Sequence, residues 1–398
     1  MILRAKWVVP VATPPIENGA VAVEGDTVTA IGPSSDVTGG DVRDLGEVVL
    51  APGLINAHCH LDYTAFVNQV EWRGSFIEWI LQLVALKQLK SEKQYLAGFK
   101  AGSEQLLKSG TTTVVNIESF PPLIDQIVTP LRVVWCLELI DFKRTDTPEQ
   151  LIADAVAVVD AHPGLRFGLS PHAPYTASAE LYGLAARYAR GRHLLLTTHL
   201  AESEEEDDMF RRGTGHMYDY FSRAGRDMAD CKHHGPVQML QEMEGLTPEC
   251  LVAHANCLTP VDVKLFAQTG AHIVHCPRTH RFFRRTTPLL ESLMHAGVNV
   301  CLGTDSLASN DQLSMFAEMQ ELARTFPRWS AEQILALATV NAAKALNQPD
   351  KLGKIAPGAT ADLIAVPLDS PVVDPYEAVV FSEKPVCFSM IEGKVVLE

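Results

Sequence analysis

Two periods of apolar and polar positions alternate along this chain. From Ala20 the run AVAVEGDTVTAIG switches residue by residue, with Gly25-Asp26 and Gly32-Pro33 as punctuation, which predicts short strands joined by tight turns. The chain closes in the same manner with ADLIAVPLD and VCFSMIEGKVVLE, the second turning at Gly393. Between them, from about residue 52 to about residue 350, short β-rich runs alternate with longer helical ones, the pattern of repeated βα units. Candidate strands are 53–58, 112–117, 132–139, 166–170, 194–199, 251–254, 272–275 and 298–303. Helical segments are expected at 92–108, 148–160, 179–189 and 260–269, with another at 311–324 after the last strand. Eight such units favour an α/β fold with a closed (β/α)8 TIM-like barrel, although counting alone leaves a doubly wound sheet open. The barrel is assigned to residues 52–352. A small β-sandwich built from both termini takes 1–51 and 353–398.

Composition narrows the partners. The 398 residues carry 33 Lys and Arg against 48 Asp and Glu, a net charge of −15. That balance argues against a phosphate-gripping surface for nucleic acid or an anionic membrane. No apolar run approaches the roughly 18 residues needed to span a bilayer. The start, MILRAKWVVPVATPPIENG, lacks the charged-then-apolar design of a signal peptide. Eight cysteines without framework spacing read as reduced thiols of a cytoplasmic protein. Cys59, Cys257, Cys276 and Cys301 lie near strand ends but form no CxxC spacing, so they are left out of the site.

The chemistry sits at strand ends. His58 and His60 close the first barrel strand one residue apart, and a period of two puts both imidazoles on one face, where they can clamp one metal ion. His172 follows the fourth strand, His199 ends the fifth, His254 ends the sixth and Asp305 follows the eighth. In a barrel all of these point into the same C-terminal mouth, where barrel active sites are built. One histidine at a strand end is most often packed or solvated; five with an aspartate at the ends of different strands favour a metal site.

In combination, the motifs APGLINAHCHLD, THLAE, AHANCL and GTDS resemble those of the amidohydrolase superfamily, most closely its cytosine-deaminase and chlorohydrolase-like branch. The resemblance spans the chain, because GKIAPGATADLIAVPLD is similar to that family's return into its small domain. It implies a mononuclear site with His58, His60, His199 and Asp305 as ligands and His254 beside the metal-bound water. Binuclear relatives usually bridge two metals with a carbamylated lysine after the fourth strand; FGLSPHAPYT has none, so one ion is expected. A divalent metal would make hydroxide available at working pH. Zn2+ suits three imidazoles and a carboxylate, and Fe2+ also accepts them.

Deamination of a ring amidine carbon needs a carboxyl group near both water and ring nitrogen. Glu202, three residues beyond His199, matches the family's catalytic glutamate. Asp305 is then ligand and proton relay, and His254 steadies the hydroxide and the developing oxyanion. The remaining acidic run, 203–208, reads as a solvated first helical turn.

Three stretches are expected to reach the mouth. In EWRGSFIEWILQLVALK, Trp72, Phe76 and Trp79 recur at near-helical spacing, which by itself describes a buried helix face. The resemblance implies that this segment covers the site and that Trp79 stacks on a planar ring. It also implies that His172, in SPHAPYT, contacts substrate rather than metal. The third, HIVHCPRTHRFFRR, is the most individual: Arg278, His280, Arg281, Arg284 and Arg285 crowd a strand end of an acidic protein. Arginine grips carboxylates bidentately. Arg278 and His280 are therefore the expected anion contacts, with Arg284 and Arg285 read as surface charges.

These readings combine into a metal-dependent aminohydrolase acting on an amino-substituted heteroaromatic ring or nucleoside. An acidic group on the substrate, as in an aminodeoxyfutalosine-like nucleoside with a benzoate tail, would satisfy the arginines. The alternative keeps the site but attacks a chloro- or alkylamino-substituted ring or a cyclic amide. An inactive scaffold is a remote third reading, because such a protein would be expected to have lost a ligand or the shuttle acid. The partner is a small molecule, and relatives of this kind suggest a homodimer.

Overall fold

The computed structural model describes residues 1–369 and 373–398. Its strands sort into two sheets. The first takes β1 (Ile2–Val8), β2 (Ile16–Glu24), β3 (Thr27–Pro33), β4 (Val42–Asp44) and β5 (Val48–Pro52) from one end of the chain. From the other end come β14 (Leu363–Pro367), β15 (Phe388–Ile391) and β16 (Lys394–Leu397). They pair in the order β16-β15-β14-β5-β1-β2-β3, with β4 alongside β1. This is one curled sheet whose two halves share a core that includes Leu3, Val21, Val28, Leu50, Leu363 and Phe388. The alternation of AVAVEGDTVTAIG is spent here, one face into that core.

The second sheet is parallel and contains the eight expected barrel strands. They are β6 (Leu54–Cys59), β7 (Thr111–Glu118), β8 (Arg132–Leu139), β9 (Arg166–Pro171), β10 (Leu195–Leu200), β11 (Cys250–His254), β12 (His272–His275) and β13 (Val300–Leu302), paired in sequence order. Apart from exposed Arg166 at the start of β9 and half-buried Glu138 and Leu195, their residues are buried, which explains the near-continuous apolar runs: helices cover the outside and side chains fill the inside. Ile55, Val115, Val134, Cys136, Leu251, Val274 and Cys301 form that filling. Closure comes from Thr304 and Asp305, whose amides both donate to the His58 carbonyl, at 3.1 and 3.0 Å. Gly303 permits this approach, since a Cβ there would lie 2.8 Å from the same carbonyl oxygen.

The helices at Glu92–Lys108, Pro148–Ala161, Ala179–Arg192 and Pro260–Thr269 follow the sequence reading to within a few residues, and the last expected helix begins later, at Met315. Between β7 and β8 only a short turn of 3-10 helix occurs, at Pro121–Gln126. The excursion between β10 and β11 holds the helix Glu204–Arg212, whose first turn the acidic run predicts, and two helices that the sequence does not announce, His216–Arg223 and Pro236–Glu242. Arg132 at the start of β8 joins the two sheets by pairing with Asp362 and, at 3.0 Å, with Glu392. Among the described residues no helix is long and apolar enough to cross a membrane.

Candidate metal centre and active site

His58, His60, His199, His254 and Asp305 converge at the carboxyl ends of β6, β10, β11 and β13, and each is at most 6 % exposed. Irregular backbone aims them. Pairing between β6 and β7 shifts between Asn56 and Cys59, so the strand turns its interior side from Ile55 and Ala57 to His58 and His60. The residues Ala201, His254, Ala255 and Asp305 all adopt positive φ, between 47° and 75°. Each such residue costs about 1–3 kcal/mol, and such strain gathers where geometry serves a site.

The donor atoms fit a metal ion. His60 Nε2 lies 3.1 Å from His199 Nε2, and Asp305 Oδ1 lies 3.7 Å from Nε2 of both His58 and His60. His199 Nδ1 is 3.0 Å from the His172 carbonyl and must donate to it, so its Nε2 carries a lone pair. With a lone pair on His60 Nε2 as well, two nitrogens this close suit one ion bound at about 2.0–2.1 Å. Both ring nitrogens of His58, and Nδ1 of His60, are buried without a hydrogen-bond partner among the described residues. Two overlapping ligand groups result: His58, His60 and Asp305, and His58, His199 and His254. Burial lowers the imidazoles of His60 and His254 to about 3 and that of His199 well below its ordinary value, the neutral state that ligation requires. Burial pushes the Asp305 carboxyl up, but the facing His58 and the neighbouring imidazoles outweigh it and keep it ionised. Ser309 donates to Asp305 Oδ2 at 2.9 Å, which leaves Oδ1 for the pocket.

Glu202 follows β10 and is 5 % exposed, with Oε2 3.7 Å from His254 Nε2. Burial raises its carboxyl well above the ordinary range, against an opposing pull from Arg285. The acidic run beyond it is the first helical turn the sequence suggested, but it is not solvated throughout. Glu206 is fully buried and accepts the amides of Ala201 at 3.0 Å and Glu202 at 2.7 Å, bracing the turn that presents Glu202. Glu205 reaches across the mouth to the amides that begin helix Phe76–Leu89. A local preference of acids for helix N-termini describes both residues and says nothing of where the helix docks.

His172 Nδ1 is 2.7 Å from the Thr176 hydroxyl, which itself donates to the Ala173 carbonyl at 3.3 Å. The ring therefore donates through Nδ1 and offers Nε2 as an acceptor, and burial lowers its pKa. Trp79 is buried in a covering cluster: it stacks with Phe76 at 5.8 Å, meets Phe283 edge-on at 5.0 Å, and directs Nε1 towards the Ala308 carbonyl. His280 lies with Nδ1 3.0 Å from Asn256 and Nε2 2.6 Å from the Thr286 carbonyl, so both nitrogens are engaged within the protein. Arg278 is paired with Asp311, and its Nε donates to Asn310 at 3.0 Å. Its charge is already matched, whereas Arg285, expected at the surface from the sequence, is half-buried with its guanidinium over the rings of Phe76 and Phe283. Also missed were Tyr63, stacked on His60 at 4.9 Å, and Glu138 at the end of β8, 3.5 Å from Lys87. The position of Glu138 at a strand end was the available signal.

The chain belongs to the amidohydrolase family, whose model matches residues 49–396. It is 29 % identical over 408 aligned positions to the 5-methylthioadenosine/S-adenosylhomocysteine deaminase of Teredinibacter turnerae, covering 96 % of this chain and 88 % of that one. It is 30 % identical over 334 positions to the aminodeoxyfutalosine deaminase of Deinococcus radiodurans, covering 78 % and 77 %. An adenosine deaminase from Xanthomonas campestris, crystallised with bound zinc, has the same fold at a TM-score of 0.87 and 24 % identity, covering 100 % of this chain and 92 % of that one.

Proposed function

We propose that the protein is a zinc-dependent aminohydrolase that converts the amino-bearing carbon of an adenine-type nucleoside to a carbonyl and releases ammonia. The observation that carries this is the pairing of a buried carboxyl, Glu202, with a neutral imidazole, His254, at the edge of a pocket of metal-binding donors. The names borne by the curated relatives support the nucleoside, and the zinc in the Xanthomonas structure supports the ion.

His58, His60, His199 and Asp305 would hold the ion. Its contribution when bound is Lewis acidity, which brings the pKa of a coordinated water towards neutrality. The protein's own groups do the rest. Glu202 takes a proton from the attacking water and delivers it to the ring nitrogen beside the target carbon, because burial favours its protonated form. Oxygen adds to carbon, and the second proton of the former water passes from the added hydroxyl to the amino group. That group leaves as ammonia as the carbonyl forms, and the ring retains the first proton on nitrogen. His254, held neutral, hydrogen-bonds the oxygen that becomes the carbonyl. His172 accepts a hydrogen bond from the ring through Nε2, and Trp79 closes the apolar cover above it.

The test is ammonia release by zinc-loaded protein from adenosine, methylthioadenosine, S-adenosylhomocysteine, aminodeoxyfutalosine, cytosine, guanine and aminotriazines. Glu202→Gln should lower the rate on any active substrate by about 10²–10⁴-fold while leaving zinc content unchanged. Silence of the wild-type protein across the panel would transfer the site to chloro- or alkylamino-substituted rings.

A further inference from the structure

Arg285 stands out from the other cations of its loop. Arg278 is paired with Asp311 and Arg281 with Glu321, whereas Arg285 Nε and Nη2 are buried with no hydrogen-bond partner among the described residues. Its guanidinium lies 5.2 Å from the ring centre of Phe76 and 4.9 Å from that of Phe283. These rings belong to the cluster that also holds Trp79. Aromatic faces attract a cation but accept no conventional hydrogen bond, so the rings fix the guanidinium and leave its donors unmet. Of the neighbouring charges, that of Arg285 acts most strongly on Glu202, and it reaches His254 and Cys257 as well. Arg285 therefore packs against the aromatic cover, close enough for its charge to be felt at Glu202.

An arginine stays ionised at any physiological pH, and each buried donor left unsatisfied costs about 1–3 kcal/mol. Glu202 and Glu206 do not relieve it: Glu206 spends both oxygens on backbone amides, and neither carboxylate is within hydrogen-bond distance of the guanidinium. The two free donors, Nε and Nη2, form one edge of the planar fork, the edge that matches a carboxylate bidentately.

We propose that Arg285 is the anion receptor of the substrate pocket, and that the preferred substrate is an amino-heteroaromatic nucleoside carrying a carboxylate, held bidentately by Nε and Nη2. This rests on the aminohydrolase reading for the reaction but not for the recognition. The rings of Phe76 and Phe283 hold the guanidinium in place before substrate arrives, so the anion orders little on binding. The specificity is for charge, because a neutral amide in the same place would leave one guanidinium donor facing an N–H.

Two matched pairs of adenine nucleosides test this: a 5′-carboxylate against its 5′-carboxamide, and a 5′-linked benzoate against its methyl ester. Zinc-loaded wild-type protein should prefer the acid in at least one pair. Arg285→Met should lower kcat/KM for that acid by about 10–100-fold, the value of a charge-assisted contact, and change the neutral partner by less than about threefold. Arg285→Lys should recover only part of the loss, and Arg278→Met should leave the preference intact. Equal losses on acid and neutral substrates in Arg285→Met would overturn the proposal and make Arg285 a positioning residue for Glu202, as would an unchanged preference. If wild-type protein releases no ammonia from either pair, the aminohydrolase reading fails only if the wider panel of substrates is silent too, and calorimetric binding of the same acids decides the matter of Arg285. Tighter binding to wild-type than to Arg285→Met protein upholds it; equal binding, or none, overturns it.

Discussion

The Glu205 carboxylate accepts the Phe76 amide at 2.7 Å and the Ile77 amide at 3.3 Å, linking the turn beyond β10 to a helix 129 residues earlier in the chain. The first amides of a helix lack partners within it, and a carboxylate there satisfies both hydrogen bonding and the helix dipole. The residue that covers the pocket is thus tethered through the segment that carries Glu202. Glu205→Ala should destabilise the start of helix Phe76–Leu89 by about 1 kcal/mol. Hydrogen exchange should accelerate across residues 75–82 with little change elsewhere. Unaltered exchange there would mean that packing of Phe76 and Trp79 holds the cover alone.

Removal of metal should weaken the protein well beyond the loss of activity. A ligand that binds only the folded state adds about 4 kcal/mol at a thousandfold excess over its Kd. Chelated protein should therefore melt several degrees lower and recover on addition of Zn2+. His58→Ala should leave less than a tenth of the metal by elemental analysis, since both nitrogens of His58 lack hydrogen-bond partners among the described residues. Stoichiometric metal in that variant would show that the ligand set is drawn wrongly.

His272 begins β12 at the far end of the barrel, and Asn299 donates to its Nδ1 at 3.0 Å. Burial, with Lys344 nearby, lowers its imidazole to about 4. The unfolded value is about 6.5, so protons bind the unfolded chain more tightly than the folded one. The stabilisation is complete above pH 6.5 and disappears as pH falls towards about 4, reaching up to about 3 kcal/mol. His272→Gln keeps an acceptor for Asn299 and cannot titrate. The melting temperatures of variant and wild type should therefore converge, or cross, on acidification from pH 7 to pH 4.5. A constant gap would mean that His272 does not change protonation over that range.

Gly303→Ala should open the barrel seam. Its new methyl group would meet the His58 carbonyl at 2.8 Å and a Val274 methyl at 2.9 Å, so β6 and β13 must separate. Because that carbonyl receives the Thr304 and Asp305 amides, loss of metal affinity should accompany a fall in melting temperature of several degrees. A variant that is less stable yet binds metal normally would separate closure from ligation.

The barrel was legible because each strand is buried on both sides and reads as an apolar run, and because the metal-binding types stand at the ends of those runs. His58, His60, His199, His254 and Asp305 needed only the placing of strands. What escaped the sequence depended on relations between segments. The irregular pairing near Asn56 changes which face His58 occupies, and no local pattern marks it. Glu206 and its neighbours Glu204 and Asp208 look alike as letters, yet Glu206 alone turns back into the protein. Arg278 and Arg285 are separated by two turns of chain whose rotation decides which of them faces the pocket. The short helices between β10 and β11 carry too few residues each to display a period.

The left-handed backbone at Ala201, His254, Ala255 and Asp305 limits what evolution can try at the rim of this pocket. All four are at or next to the proposed catalytic groups, and a β-branched side chain at any of them would clash with its own main chain before chemistry entered the question. A saturation library over these four positions would return small or Asx-like residues from its folded members, whatever substrate it was selected on. New specificities are then open chiefly through the residues that face these turns, from the covering helix and the loop of Arg285, while the turns themselves stay as a fixed frame.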